Sequence, residues 1–158
     1  RLRSLRNKDM TKIELLDKIV FGDCSLELDG ERVEYGTLAR YLFNDVNWFF
    51  DKQEGSYQGD WYMVGKKGED YYFFTMSYGS CSGCDWIEAM SDGSDLRDDS
   101  QKRKDEMGKL IDEILATHIL KGKEAALEYA RKFDWQGYYD RDESNPFVNE
   151  VIKAIEAN

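Results

Sequence analysis

The chain has 158 residues, enough for one domain with its own core, and its 41% apolar and 14% aromatic content argues against disorder despite 34% charged residues. Its formal net charge is −10, and the first ten residues hold four basic groups and one acidic, a local +3 that leaves −13 on the rest. A body this acidic repels phosphate backbones, so direct DNA or RNA binding is not expected. No run approaches the ~18 apolar residues of a membrane span, which predicts a soluble, cytoplasmic protein that does not engage a membrane.

Residues 1–9 read as a basic leader or a cloning remnant, and residues 10–158 as a single α+β domain. Thr11-Lys12-Ile13-Glu14 is a capping box opening a helix on Ile13, Leu15, Leu16, Ile19 and Val20, ended by Gly22. Alternating apolar residues on either side of Asp29-Gly30 predict a β-hairpin. Cys24 falls on the same face as Leu26 and Leu28, the place of a small core residue.

Thr37 is expected to cap a helical segment carrying Leu38, Tyr41, Leu42, Val46 and Phe49, with residues 51–60 as a turn. A second hairpin follows, from Trp61–Val64 through a turn at Gly65-Lys66-Lys67-Gly68 into Tyr71–Tyr78, the last a central strand with two apolar faces. Asp85 and Glu88 bracket the start of a short helix. After an acidic loop over residues 91–100, Met107, Leu110, Ile111, Ile114, Leu115 and His118 predict the longest helix. Gly122 precedes another helix, and Asn145-Pro146 starts the last. The order predicts an α+β fold whose antiparallel sheet is built from hairpins and packed against several helices.

The densest stretch is Tyr71–Met90, whose strand runs into Cys81-Ser82-Gly83-Cys84 before a helix. Four readings stand. A thiolate at a helix N-terminus suits thiol–disulfide exchange, but the sole proline, Pro146, reads as a helix start rather than the loop facing a redox CxxC. Zinc would take Cys81 and Cys84 with Cys24 and His118, the complete Cys/His inventory. The backbone of Gly79–Gly83 could cradle an anion. The fourth reading is a tight structural turn. No cofactor is expected, zinc being the one the inventory admits. The single His118 lacks a paired Ser or Cys pattern, and residues 140–151 miss the glycine and final glutamate of a calcium loop.

Trp135, Tyr138 and Tyr139 stand among Asp134, Asp140, Asp142 and Glu143, a mixture that suits a hot spot for a basic protein partner. The competing reading tucks these rings into the core. The expectation is a non-enzymatic protein-binding module with its partner surface on Trp135, Tyr138, Tyr139, Asp140 and Asp142.

Tyr57-Gln58-Gly59-Asp60, the hairpin, and Tyr78-Gly-Ser-Cys-Ser-Gly-Cys-Asp85 resemble a family of small uncharacterised phage and bacterial proteins with a Gly-Ser-Cys-Ser-Gly-Cys-Asp signature. The run from Ala126 to Trp135 is similar to the helix and Asp-Trp that follow in such proteins. The resemblance implies a phage or mobile-element origin. With it the expected partner becomes a host protein, such as a defence enzyme with a basic nucleic-acid-binding groove. The alternative is a zinc-stabilised or thiol-redox protein centred on Cys81 and Cys84.

Overall fold

The computed structural model describes residues 10–22, 25–55, 58–80, 85–92, 99–133 and 146–158. Thr11 opens helix α1 (Lys12–Lys18) by the expected reciprocal bonding. Its Oγ1 accepts from the Glu14 N–H at 3.2 Å, while Glu14 Oε2 accepts from the Thr11 N–H at 2.8 Å. The helix is shorter than its apolar stripe predicts, because Ile19 and Val20 leave it to form strand β1 (Ile19–Phe21). Two β-branched residues and a phenylalanine suit the pleated ladder with β2 (Leu26–Leu28) better than another helical turn.

The Asp29-Gly30 hairpin forms as expected. Both residues have positive φ, 53° and 82°, and Leu28 pairs with Glu31 of β3 (Glu31–Arg32), the two-residue turn whose twist matches its strands. Ile19, Leu26 and Leu28 face inward, while Val20, Glu27 and Arg32 stand in register on the outward face.

Helix α2 (Tyr35–Leu42) starts two residues before the expected Thr37 cap, with Glu34 as its N-cap, and it stops well before Phe49. Residues Asn47–Glu54 form strand β4, so Trp48 and Phe49 are strand residues and the first part of the expected 51–60 turn is strand. A register shift between Trp48 and Phe50 disrupts the alternation that marks a strand, and this is why Leu42, Val46 and Phe49 mimic a helical period. Strands β5 (Gly59–Lys67) and β6 (Asp70–Tyr78) are the expected second hairpin, lengthened so that Gly65 to Lys67 lie in the strand and Gly68, with φ 60°, makes the turn. The sheet order β4-β5-β6-β7 places β6 in the interior, and Tyr71 to Phe74 are all buried.

Helix α3 (Trp86–Asp92) is followed by α4 (Ser100–Leu115), capped by Asp99, whose carboxylate accepts from the Lys102 N–H at 2.9 Å. Its predicted stripe is buried at Met107, Leu110, Ile111 and Ile114, but Leu115 is exposed. His118 is not on that helix. The helix caps at Ala116, and His118 opens strand β7 (His118–Lys121), opposite Phe73 of β6. Gly122, with φ 85°, leads into α5 (Lys123–Lys132), and Pro146 opens α6 (Pro146–Ala157) as its sequence predicts.

The α+β class expected from the sequence is present, with the strands divided between a three-stranded and a four-stranded sheet. The chain forms two compact units, Arg1–Asp45 with Ser77–Ala116, and Val46–Met76 with Thr117–Asn158. In the first, α4 packs against α1, α2 and α3, burying Leu15, Leu38, Met107 and Leu110. The second buries Phe50, Tyr62, Val64, Tyr71 and Phe73 of the sheet in one cluster with Ala126, Ala130, Val151 and Ile155 of α5 and α6. No helix among the described residues is long and apolar enough to cross a membrane.

Candidate functional site

In the second unit the alternation of β5 sends Tyr62 to the same side as Val64, into the cluster with α5 and α6. The Tyr62 ring is buried and meets two phenylalanines from different helix ends. Phe133, the cap residue closing α5, lies with its ring centroid 6.3 Å away at 84°, and Phe147, the second residue of α6, lies 6.0 Å away at 50°. These two residues bracket 134–145, the stretch that carries Trp135, Tyr138, Tyr139, Asp140 and Asp142. Those five lie outside the described residues, but both ends of the stretch pack on one strand side chain. Binding residues are often carried on segments whose flanking residues a rigid scaffold positions.

The aromatic contacts continue away from the stem. Tyr129 of α5 is 5.5 Å from Phe133 and 4.8 Å from Phe73, and the His118 ring stacks on it at 5.0 Å and 20°. Offset and edge contacts of this kind contribute about 0.5–1.5 kcal/mol each beyond the area they bury. Burial pushes the Tyr129 phenol above its ordinary value, so the ring stays neutral within this strip. Outside the strip, Lys52 of β4 pairs with Glu150 of α6 at 3.3 Å.

A second constellation, in the first unit, frames the cysteine turn. Asp85 is buried, and its carboxylate accepts three hydrogen bonds: from the Tyr35 hydroxyl at 2.9 Å, from the Glu88 N–H at 2.9 Å and from the Gly79 N–H at 2.8 Å. The Glu88 bond is the helix cap expected from the sequence. The Gly79 bond ties the end of β6 to the start of α3. Tyr35 Oη in turn accepts from the N–H groups of Trp86 at 3.0 Å and Ile87 at 3.3 Å. Desolvation, and then the Asp85 carboxylate, push the Tyr35 phenol far above its ordinary value, so it acts as a neutral donor.

This arrangement bears on the anion and thiolate readings of the turn. The N–H groups of Trp86, Ile87 and Glu88, which an anion or thiolate at this helix start would use, already donate to Tyr35 and Asp85. A buried carboxylate also occupies the position where the helix would favour a negative charge. Cys24, Cys81 and Cys84 lie outside the described residues. Among the described residues, no group of three or more His, Cys, Asp or Glu side chains converges as metal ligands would. His118, the one proposed ligand that is described, is exposed and stacked on Tyr129.

One buried cation completes the first unit. Arg103 of α4 is 3% exposed, donates from Nη2 to the Gly22 carbonyl at 2.9 Å and lies with its guanidinium carbon 5.5 Å from the Phe21 ring centre. It holds the end of β1 against α4 by a charge-assisted hydrogen bond and a cation–π contact. Neither Tyr35, Tyr62 nor Arg103 is signalled by the sequence as a key residue. Each works through partners distant in the chain, and a single sequence carries no trace of such pairings. Asp85 was legible because a cap acts over three residues. No family model, curated protein or solved structure matches the chain.

Proposed function

We propose that the chain is a non-enzymatic protein-binding module that engages its partner through residues 134–145. The observation that carries this reading is the convergence of Phe133 and Phe147 on Tyr62, which brings the residues on either side of 134–145 together on a sheet-and-helix core. A segment whose flanking residues are fixed loses less conformational entropy on binding, so Trp135, Tyr138 and Tyr139 would serve as anchors, with Asp140 and Asp142 as the charged rim. The net charge of −10 favours a basic partner surface through long-range steering and disfavours direct nucleic-acid binding. Together with the resemblance to phage proteins, this points to a host protein in the cytoplasm, such as a defence enzyme with a basic nucleic-acid-binding groove. Asp85, the buried carboxylate among the described residues, supports the non-enzymatic reading because three donors already engage it in a structural role.

The test is affinity capture from a host lysate with the native chain and with a Trp135→Ala/Tyr138→Ala/Tyr139→Ala variant, followed by binding of the purified partner across a salt series. The expected result is a partner lost in the variant and bound more weakly as salt rises. Equal capture by the variant, or turnover of a substrate by the purified chain, overturns the reading.

The second reading keeps Cys81 and Cys84 as a zinc or thiol-redox pair. The Gly79–Asp85 bond, which brings together the residues on either side of the segment that carries them, supports a metal pair, whereas a redox thiolate would compete with Asp85 and Tyr35 for the N–H groups of the helix start. Metal analysis of protein purified without chelator, with a thiol count under denaturing conditions, separates the two. Stoichiometric zinc lost in Cys84→Ala supports the second reading, whereas three free thiols without metal leave the pair structural.

A further inference from the structure

No further inference is drawn: the strongest candidate, the outward face of the three-stranded sheet where the exposed Val20 stands in register with Glu27 and with Arg32, itself paired with Glu88, is an exposed surface, and nothing among the described residues shows what covers it.

Discussion

Replacing Tyr35 by Phe deletes one oxygen and tests whether the Asp85 network holds the strand end to α3. The hydroxyl donates to a buried carboxylate and accepts from two backbone N–H groups, of Trp86 and Ile87. A hydrogen bond to a charged group contributes about 1.5–3 kcal/mol, and each buried group left without a partner costs about 1–3 kcal/mol. The ring keeps its packing, and Asp85 retains Glu88 and Gly79 as donors, so part of the loss relaxes away. The expected destabilisation is therefore about 2–4 kcal/mol at neutral pH, read by urea unfolding with Asp85→Asn and the double variant completing a cycle. The two single losses should be strongly non-additive, because the side chains share one network. The pH dependence adds a signed check. The folded phenol is held above its ordinary 10.0, so the stability it supplies is complete below pH 10 and is lost as the unfolded chain begins to ionise above it. The gap between native chain and Tyr35→Phe should then narrow in alkaline solution. A variant within about 0.5 kcal/mol of the native chain, the scale of an ordinary surface change, or additive losses in the cycle, would refute the proposed clamp.

Three further substitutions follow from packing and charge. A Cβ on Gly65 would lie 2.4 Å from Val46 Cγ1, 2.8 Å from Trp48 Cε3 and 3.0 Å from the Asn47 carbonyl oxygen. Gly65→Ala should thus cost about 1–3 kcal/mol by overpacking, while Gly68→Ala, which meets nothing within 4 Å but must adopt φ 60°, should cost about 1 kcal/mol. Urea midpoints of the pair report the order, and equal losses would contradict the close approach at the β4–β5 irregularity. The Glu106 carboxyl is held below its usual value first by the Lys109 ammonium and next by the Trp86 indole N–H. Its contribution is complete above the ordinary 4.5 and lost as the pH falls below it. Glu106→Gln should cost no more than about 1 kcal/mol at pH 7, since solvent screens the pair, and the difference should shrink as acid protonates the carboxyl. A difference that persists in acid would assign the effect to something other than charge.

The sequence was most readable where a few adjacent residues determine the outcome. The Thr11–Glu14 box, the Asp29-Gly30 turn, the Asp85 cap and Pro146 at a helix start all act within about one turn of chain, and all stand where the sequence places them. It misled where a short apolar run satisfied two periods. Ile19 and Val20 continue a helical stripe yet pair with β2, and Leu42, Val46 and Phe49 match a helical spacing across a turn and an irregular strand. His118 continues the stripe of α4 by coincidence, and pairing with β6 prevails once that helix caps at Ala116. Strand pairing depends on residues far along the chain, so local period alone could not decide these cases. The candidate binding loop was legible as composition. Its root was not, since Tyr62, Phe133 and Phe147 meet only after the sheet and both helices have formed.

That root is also where stability and binding can be separated. Tyr62→Phe removes the hydroxyl and keeps the ring between Phe133 and Phe147, so it retains the aromatic contacts of both stems. Tyr62→Leu keeps an apolar side chain in the core but loses both ring contacts, an expected cost of about 1–3 kcal/mol from the aromatic pairs and the lost volume. If the stems only stabilise the unit, the folded fraction of Tyr62→Leu should bind the partner with native affinity. If they position the loop, its affinity should fall about tenfold or more even where unfolding is negligible, because the ordering cost moves into the binding step. The loss should appear chiefly in the dissociation rate, with association still governed by the unchanged charge. Tyr62→Phe with native affinity beside Tyr62→Leu with a faster dissociation rate is the pair of results the loop reading requires. Native dissociation rates in both variants would leave Tyr62 as a core residue and remove the observation on which the proposed function rests.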